Sequence, residues 1–173
     1  MKLRSLIPVG LALTAIALLA QDTPTPLSPV PYPEGYRTWT HISSAVLPRK
    51  PVATGSTADE SPSAAPHGLL HNLYANDLAL EGYRTGHFPE GAILIADWFV
   101  LEPRGPELIQ GRRKSINVMI RDARYTETGG WGFEDFEGDS PTTRNVGPNA
   151  VQACFSCHQR ANDREYVFSV LKR

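Results

Sequence analysis

The chain has 173 residues, 41% of them hydrophobic and 20% charged, and this composition predicts one globular domain with short appendages. Its 17 basic and 18 acidic residues leave a net charge of −1, without the basic surplus expected of a nucleic-acid-binding protein. The 14 glycines and 15 prolines disfavour a helical bundle and favour short strands joined by turns.

The first twenty residues have the pattern of a secretory signal peptide. Lys2 and Arg4 precede an apolar run from Leu6 to Leu19, and the small residue Ala20 ends that run. Because such a run is short for a membrane span, we predict cleavage and export to the periplasm. A retained N-terminal membrane anchor is the alternative.

Two proline-containing segments are predicted to lack regular structure. Residues 21–34 carry five prolines and are predicted to form an extended tether between the signal peptide, residues 1–20, and a domain at residues 35–173. Residues 48–66 are rich in Ser, Thr, Ala and Pro, and we predict a surface loop inside the domain.

The next part of the chain predicts a strand followed by a helix. Leu69 to Ala75 alternates as a strand does, which places Leu69, His71 and Leu73 on one face. Asn76 is predicted to cap a helix that runs to about Arg84 and ends before Gly86.

Three further stretches predict strands of one sheet. Residues 92–101 are nearly all apolar apart from Asp97, which predicts a strand covered on both faces. Residues 115–121 alternate, with Ile116 and Val118 inward and Met119 on the opposite face. Residues 129–134 predict a turn that leads into an aromatic strand. The predicted fold class is therefore α+β, with a mainly antiparallel sheet and short helices.

The only two cysteines lie in the sequence Cys154-Phe155-Ser156-Cys157-His158, which has the C-x-x-C-H spacing of covalent haem attachment. Positions i, i+3 and i+4 share one face of a helix, so both thiols can reach the haem vinyl groups while the imidazole meets the iron. The sequence predicts one haem c attached near the C-terminus through Cys154 and Cys157, with iron bound by His158. The acceptor that holds the second ring nitrogen of His158 is not identified by the sequence.

Other interpretations of the cysteine pair have less support in the sequence. A zinc site needs two more ligands, and no second cysteine pair or clustered histidine pair is present. A thioredoxin-like motif belongs near a βαβ pattern, whereas this one lies close to the C-terminus. A simple disulfide of an exported protein remains as the alternative. Asn149, which follows Gly147 and Pro148, is predicted to cap the helix that carries the motif.

The position of the motif bears on the sixth ligand of the iron. Common electron-carrying cytochromes c place this motif near the N-terminus and supply a methionine later in the chain, but no methionine follows His158. Met119 and His71 are the main candidates for a sixth ligand. The remaining histidines of the chain are His41, His67 and His87. The pattern favours five-coordinate iron with an open face, and the many Gly and Pro residues do not fit the four-helix bundle of cytochromes c′.

Seven short motifs follow one another along the predicted domain. They are Gly35-Tyr36-Arg37-Thr38-Trp39, Leu73-Tyr74-Ala75-Asn76, Gly86-His87-Phe88-Pro89-Glu90-Gly91, Asn117-Val118-Met119-Ile120-Arg121-Asp122, Gly130-Trp131-Gly132-Phe133, Cys154-Phe155-Ser156-Cys157-His158 and Glu165-Tyr166-Val167-Phe168. Their order and spacing resemble the cytochrome P-460 and cytochrome c′-beta family of exported mono-haem proteins. The resemblance covers almost the whole predicted domain, and it implies a mainly antiparallel β fold and a homodimer.

One position departs from part of this family. Members similar to cytochrome P-460 proper carry a lysine, covalently linked to the haem and tied to hydroxylamine oxidation, on the strand after the Phe-Pro-x-Gly turn. Ala96 stands at that position and has no amine. The lysines beyond the signal region are Lys50, Lys114 and Lys172. The chain therefore resembles the cytochrome c′-beta branch, whose members lack the lysine and bind nitric oxide or carbon monoxide at an apolar distal face.

Alternation supports that interpretation, because Leu94, Ala96 and Trp98 share one side of the predicted strand. If this side faces the iron, the pocket is apolar and admits small neutral ligands such as nitric oxide. We therefore predict Ala96 and Trp98 as cofactor-binding residues, with ordinary core packing as the alternative. An oxidoreductase acting on hydroxylamine, nitric oxide or peroxide, and a six-coordinate electron-transfer cytochrome with a redox partner protein, remain as alternative functions.

Overall fold

A five-stranded antiparallel sheet forms the body of the protein in a computed structural model that describes residues 29–49 and 65–172. Its strands are Thr40–Leu47 (β1), Leu69–Ala75 (β2), Ile93–Arg104 (β3), Glu107–Arg121 (β4) and Trp131–Glu137 (β5). They lie side by side in sequence order, and each strand is antiparallel to its neighbours. The predicted signal peptide and most of the predicted loop at 48–66 lie outside the described residues.

The helices are short, and the longest α-helix of the described residues is the helix predicted from its caps. It is Asp77–Thr85 (α1), where the Asn76 side chain accepts a hydrogen bond from the Ala79 N–H at 2.9 Å, and Gly86 ends it with a φ of 81°. The predicted α+β class is therefore confirmed. No helix among residues 29–49 and 65–172 is long and apolar enough to cross a membrane.

The cysteine motif lies in a helical segment, residues 151–164, which we call the motif helix. It consists of a π-helical turn at Val151–Phe155, an α-helical turn at Ser156–His158 (α2) and a 3₁₀ turn at Gln159–Arg164. The predicted cap by Asn149 is wrong. Ala150, which precedes the π-helical turn, is itself helical, and Asn149 ends a preceding 3₁₀ turn. Among the described residues, no side chain caps the motif helix. Two more 3₁₀ turns are Tyr36–Thr38 and Thr126–Thr128.

The register of the sheet decides which side chains share a face. Leu94 pairs with Ala75 on one side and with Met119 on the other, and Met119 pairs with Phe133. Directly paired residues point to the same side of a sheet, so these four side chains define one face, which we call the motif face. They belong to one hydrophobic core with Phe155 of the motif helix.

The opposite face carries a second core, formed by Val30, Tyr36, Ile95, Ile116, Val118 and Phe136. Val30 is buried, and the ring of Tyr32 meets Phe136 edge to face at 5.1 Å. The packed part of the chain therefore includes residues from the segment predicted as a tether. Both faces of β4 are covered, because Met119 on the motif face is buried, as are Ile116 and Val118 on the opposite face.

Asp97, the polar residue that interrupts the apolar run of β3, lies on the opposite face and is fully buried. Its carboxylate accepts hydrogen bonds from the Tyr36 hydroxyl at 2.5 Å and from Nε of Arg113 at 2.7 Å. Arg37 lies at the edge of this group, with Nη2 3.4 Å from the carboxylate. The buried charge is thus neutralised from two neighbouring elements, as a buried carboxylate requires.

Candidate functional site

A cavity of about 380 Å³ lies between the motif face of the sheet and the motif helix. The sheet lines it with residues that include Leu73, Leu94, Ala96, Trp98, Asn117 and Met119. The C-terminal part of the chain adds Cys154, Cys157, His158, Val167, Phe168 and Ser169. All five residues that the sequence singled out for a cofactor, Cys154, Cys157, His158, Ala96 and Trp98, therefore border one space.

The His158 ring is held in one orientation by its backbone and aromatic neighbours. Its Nδ1 lies 2.7 Å from the carbonyl oxygen of Tyr166, so Nδ1 carries the proton and Nε2 is left as the electron-pair donor. The rings of Phe133 and Phe168 flank the imidazole, each with its centroid 5.0 Å away. Burial lowers the pKa of His158, partly opposed by the Tyr166 hydrogen bond, which favours the neutral imidazole that binds metals.

The two cysteines are not joined in a disulfide, and they differ in environment. Burial, together with the nearby carboxylates of Asp135 and Glu134, raises the pKa of Cys154 to about 11. A thiol of that pKa stays protonated at neutral pH and does not resemble the activated thiolate of a redox-active cysteine pair. Cys157 is exposed, and Nη2 of Arg160 lies 2.7 Å from its sulfur.

The sheet side of the cavity is mostly apolar, as the sequence predicted for Leu94, Ala96 and Trp98. Ala96 pairs with Leu73 on β2 and with Asn117 on β4. Asn117 thus brings one polar side chain next to the small alanine. This juxtaposition results from strand register, so the sequence pattern of a single strand could not reveal it.

Two of the candidate sixth ligands also line the cavity. Met119 is 7% exposed and packs within the core of the motif face. The His71 ring stacks on Trp98, and its Nδ1 is buried without a hydrogen-bond partner in the part of the chain that the structure describes. Burial lowers the pKa of His71. The candidates His41, His67 and His87 are not among the residues that line the cavity.

A buried carboxylate fixes the chain just before the motif helix. Glu134 is 3% exposed, and its Oε1 accepts the N–H of Val146 at 3.0 Å. Nη1 of Arg144 lies 3.2 Å from Oε2 of the same carboxylate. Glu134 therefore ties β5 to the segment that leads into Cys154. The sequence did not indicate this role, because Glu134 lies in a predicted aromatic strand.

The donor set and the cavity fit a covalently attached haem. Two unpaired thiols and a neutral imidazole with Nε2 available border the same largely apolar space. The Tyr166 carbonyl supplies the acceptor for His158 that the sequence left unidentified, because a backbone contact has no signature in the sequence. The lysines of the described ranges, Lys114 and Lys172, do not border the cavity.

Comparison with known proteins adds one match. Residues 33–169 match the family model described as Cytochrome P460, which covers most of the chain. A search of curated proteins found no match.

Proposed function

The chain belongs to the cytochrome P460 family, and on that premise we propose an exported c-type haem protein whose five-coordinate iron binds small neutral ligands such as nitric oxide. Membership of the family implies haem. The observation that carries the proposal is that Cys154, Cys157 and His158 border one cavity whose sheet side is largely apolar. We place the protein in the periplasm on the strength of its N-terminal pattern alone.

In this proposal each residue of the motif has a separate task. Cys154 and Cys157 hold the haem through thioether bonds, so that an exported protein does not lose its cofactor by dilution. His158 binds the iron through Nε2, since its Nδ1 is engaged by the Tyr166 carbonyl at 2.7 Å. When bound, the haem supplies an iron centre that takes up diatomic ligands and changes oxidation state.

The sheet residues support an open iron face. Ala96 presents a methyl group, and neighbouring Leu73 and Leu94 are aliphatic, so this part of the cavity offers no strong ligand. Met119 and His71 are engaged in core packing and in stacking on Trp98, respectively. An apolar pocket of this kind favours neutral diatomic molecules over anions.

A six-coordinate electron-transfer cytochrome is the second candidate. It is favoured by one observation, namely that Met119 and His71 both line the cavity. The oxidoreductase resembling cytochrome P-460 proper has less support, because Ala96 replaces the cross-linking lysine. A homodimer and a redox partner protein remain predictions.

Absorption spectra of the full chain, produced with cytochrome-maturation machinery, test the proposal. We expect covalently bound haem, a high-spin five-coordinate ferrous spectrum and a clear spectral change when nitric oxide is added. A ferrous spectrum of low-spin, six-coordinate haem before ligand addition would favour the electron-transfer alternative. A red-shifted Soret band with hydroxylamine turnover would favour the oxidoreductase, and colourless protein would contradict all three.

A further inference from the structure

Two consecutive residues with side chains adopt the left-handed backbone conformation directly after the motif helix. They are Glu165, with a φ of 49°, and Tyr166, with a φ of 69°. No other residue of the described ranges except glycine has a positive φ. Such backbone strain persists only where surrounding contacts hold it in place.

The left-handed pair turns the chain back toward the iron-binding histidine of the proposed function. The Tyr166 N–H donates to the Ala161 carbonyl at 2.7 Å, and the Tyr166 carbonyl accepts from Nδ1 of His158 at 2.7 Å. The backbone of one residue thus closes the motif helix and also fixes the imidazole. The backbone angles of Glu165 and Tyr166, which we call the strained turn, set the orientation of this carbonyl.

Glu165 anchors the turn to the loop between α1 and β3. Its Oε2 accepts the Phe88 N–H at 2.9 Å, and its Oε1 lies 2.6 Å from Nδ1 of His87. His87 is 73% exposed, so it reaches the carboxylate from the solvent side. The Tyr166 ring is held independently against Phe155, with ring centroids 5.0 Å apart. Two motifs noted in the sequence, 86–91 and 165–168, therefore meet at this carboxylate.

We propose that Glu165 is a positioning residue that keeps the Tyr166 carbonyl on Nδ1 of His158 and so strengthens Nε2 as an iron ligand. This inference rests on the proposed function, because it takes His158 as the ligand. A hydrogen bond at Nδ1 raises the basicity of a metal-bound imidazole. A more basic axial ligand stabilises ferric iron and lowers the reduction potential.

The test compares the full haem-loaded chain with Glu165→Ala and with Glu90→Ala as the matched control. Glu90 also uses a carboxylate to accept a backbone N–H, that of Ala123 at 2.9 Å, but it does not contact the strained turn. Resonance Raman spectroscopy of the ferrous protein gives the iron–histidine stretching frequency, and redox titration gives the reduction potential. We expect Glu165→Ala to lower the frequency and raise the potential, and Glu90→Ala to change neither.

If Glu165 had only a structural role, Glu165→Ala would lower stability without moving the iron–histidine frequency. Haem-loaded Glu165→Ala with the frequency and potential of Glu90→Ala therefore overturns the inference while leaving the proposed function intact. Wild-type protein without covalent haem, or without an iron–histidine signal, overturns both. If Glu165→Ala does not accumulate, Glu165→Asp decides the matter, because it keeps the charge but shortens the side chain that reaches the Phe88 N–H and His87. A smaller shift in the same direction supports the inference, and no shift overturns it.

Discussion

The Trp98 indole lies flat against the His71 imidazole, with ring centroids 4.4 Å apart and planes 19° apart. The two residues are direct partners across β2 and β3. Their stack gives this part of the cavity a bulky wall, whereas Ala96, two residues along β3, contributes only a methyl group. The space for a ligand on the sheet side is therefore expected above Ala96.

Ala96→Leu is expected to weaken nitric oxide binding without preventing haem attachment. The added carbon atoms would fill the space left by the small side chain, and overfilling a packed site costs about 1–3 kcal/mol. That cost corresponds to a rise in Kd of about fivefold to more than a hundredfold. Spectroscopic titration with nitric oxide or carbon monoxide measures it. Ala123→Leu, an exposed substitution away from the cavity, serves as the control, and equal affinities for the two variants would contradict the placement of the ligand.

The cysteines and His158 are expected to fail in different ways when replaced. Cys154→Ala and Cys157→Ala each leave a single thioether bond, so haem stays attached at lower yield and keeps one vinyl group in the pyridine haemochrome spectrum. His158→Ala keeps both bonds but loses the axial imidazole, which changes the ferrous spectrum.

Haem staining after denaturing electrophoresis separates these outcomes from simple loss of protein. Ser156→Ala is the matched control, because its exposed hydroxyl lies between the cysteines and donates to the Gln152 carbonyl of its own helix. Retention of normal haem spectra in all three motif variants would refute covalent attachment at this motif.

Local signals in the sequence were enough to predict some helices and strands but not others. The predicted bounds of β2 agree with the structure, and those of α1 differ by one residue at its end, because alternation and caps are local properties. Strand β1 was not predicted, since Ile42 is its one buried residue and an edge strand of this kind has no apolar period. The outer part of the β3–β4 hairpin was missed for a similar reason, because its exposed polar residues carry no hydrophobic alternation.

In the candidate site, too, some features could be predicted from the sequence and others could not. The C-x-x-C-H motif is contiguous, so its residues could be named from sequence alone. The neighbours of Ala96 depend on strand register. The position of the Tyr166 carbonyl depends on two residues in the left-handed backbone conformation, which the sequence does not indicate. Long-range pairing and backbone conformation therefore account for what sequence reasoning could not supply.

Replacing Asp97 is expected to destabilise the fold without altering the haem spectrum. Asp97→Ala leaves the Arg113 guanidinium, whose side chain is 11% exposed, and the Tyr36 hydroxyl without their shared buried acceptor. Removing one partner of a buried ion pair costs about 3–5 kcal/mol in the free energy of unfolding. The spectrum should be unchanged, because Asp97 and Ala96 point to opposite faces of β3.

Urea denaturation provides the measurement, with Asp139→Ala as the control. Asp139 pairs with the same arginine, but its side chain is 80% exposed, and such surface pairs contribute about 0–1 kcal/mol. Similar urea midpoints for the two variants would show that the buried carboxylate does not stabilise the sheet as we infer.

The stability contributed by Glu165 is expected to depend on pH. Burial alone would raise the pKa of this carboxyl, but hydrogen bonds from the Phe88 N–H and from His87, with the nearby charges of His87 and Arg121, bring it below its ordinary value. A carboxyl whose pKa is lower in the folded than in the unfolded chain stabilises the fold above the unfolded pKa, which is about 4.3 for glutamate. That contribution is lost as the pH falls through the lower, folded value.

The difference in urea midpoint between wild type and Glu165→Gln should therefore be present above the ordinary glutamate pKa and shrink as the solution is acidified below it. Glutamine keeps an oxygen that can accept the Phe88 N–H, so the comparison isolates the charge from the backbone hydrogen bond. Glu127→Gln, an exposed substitution in the turn before β5, corrects for the loss of one surface charge. A difference that persists unchanged at acidic pH would mean that Glu165 acts through its shape alone, since the wild-type carboxyl would then be neutral.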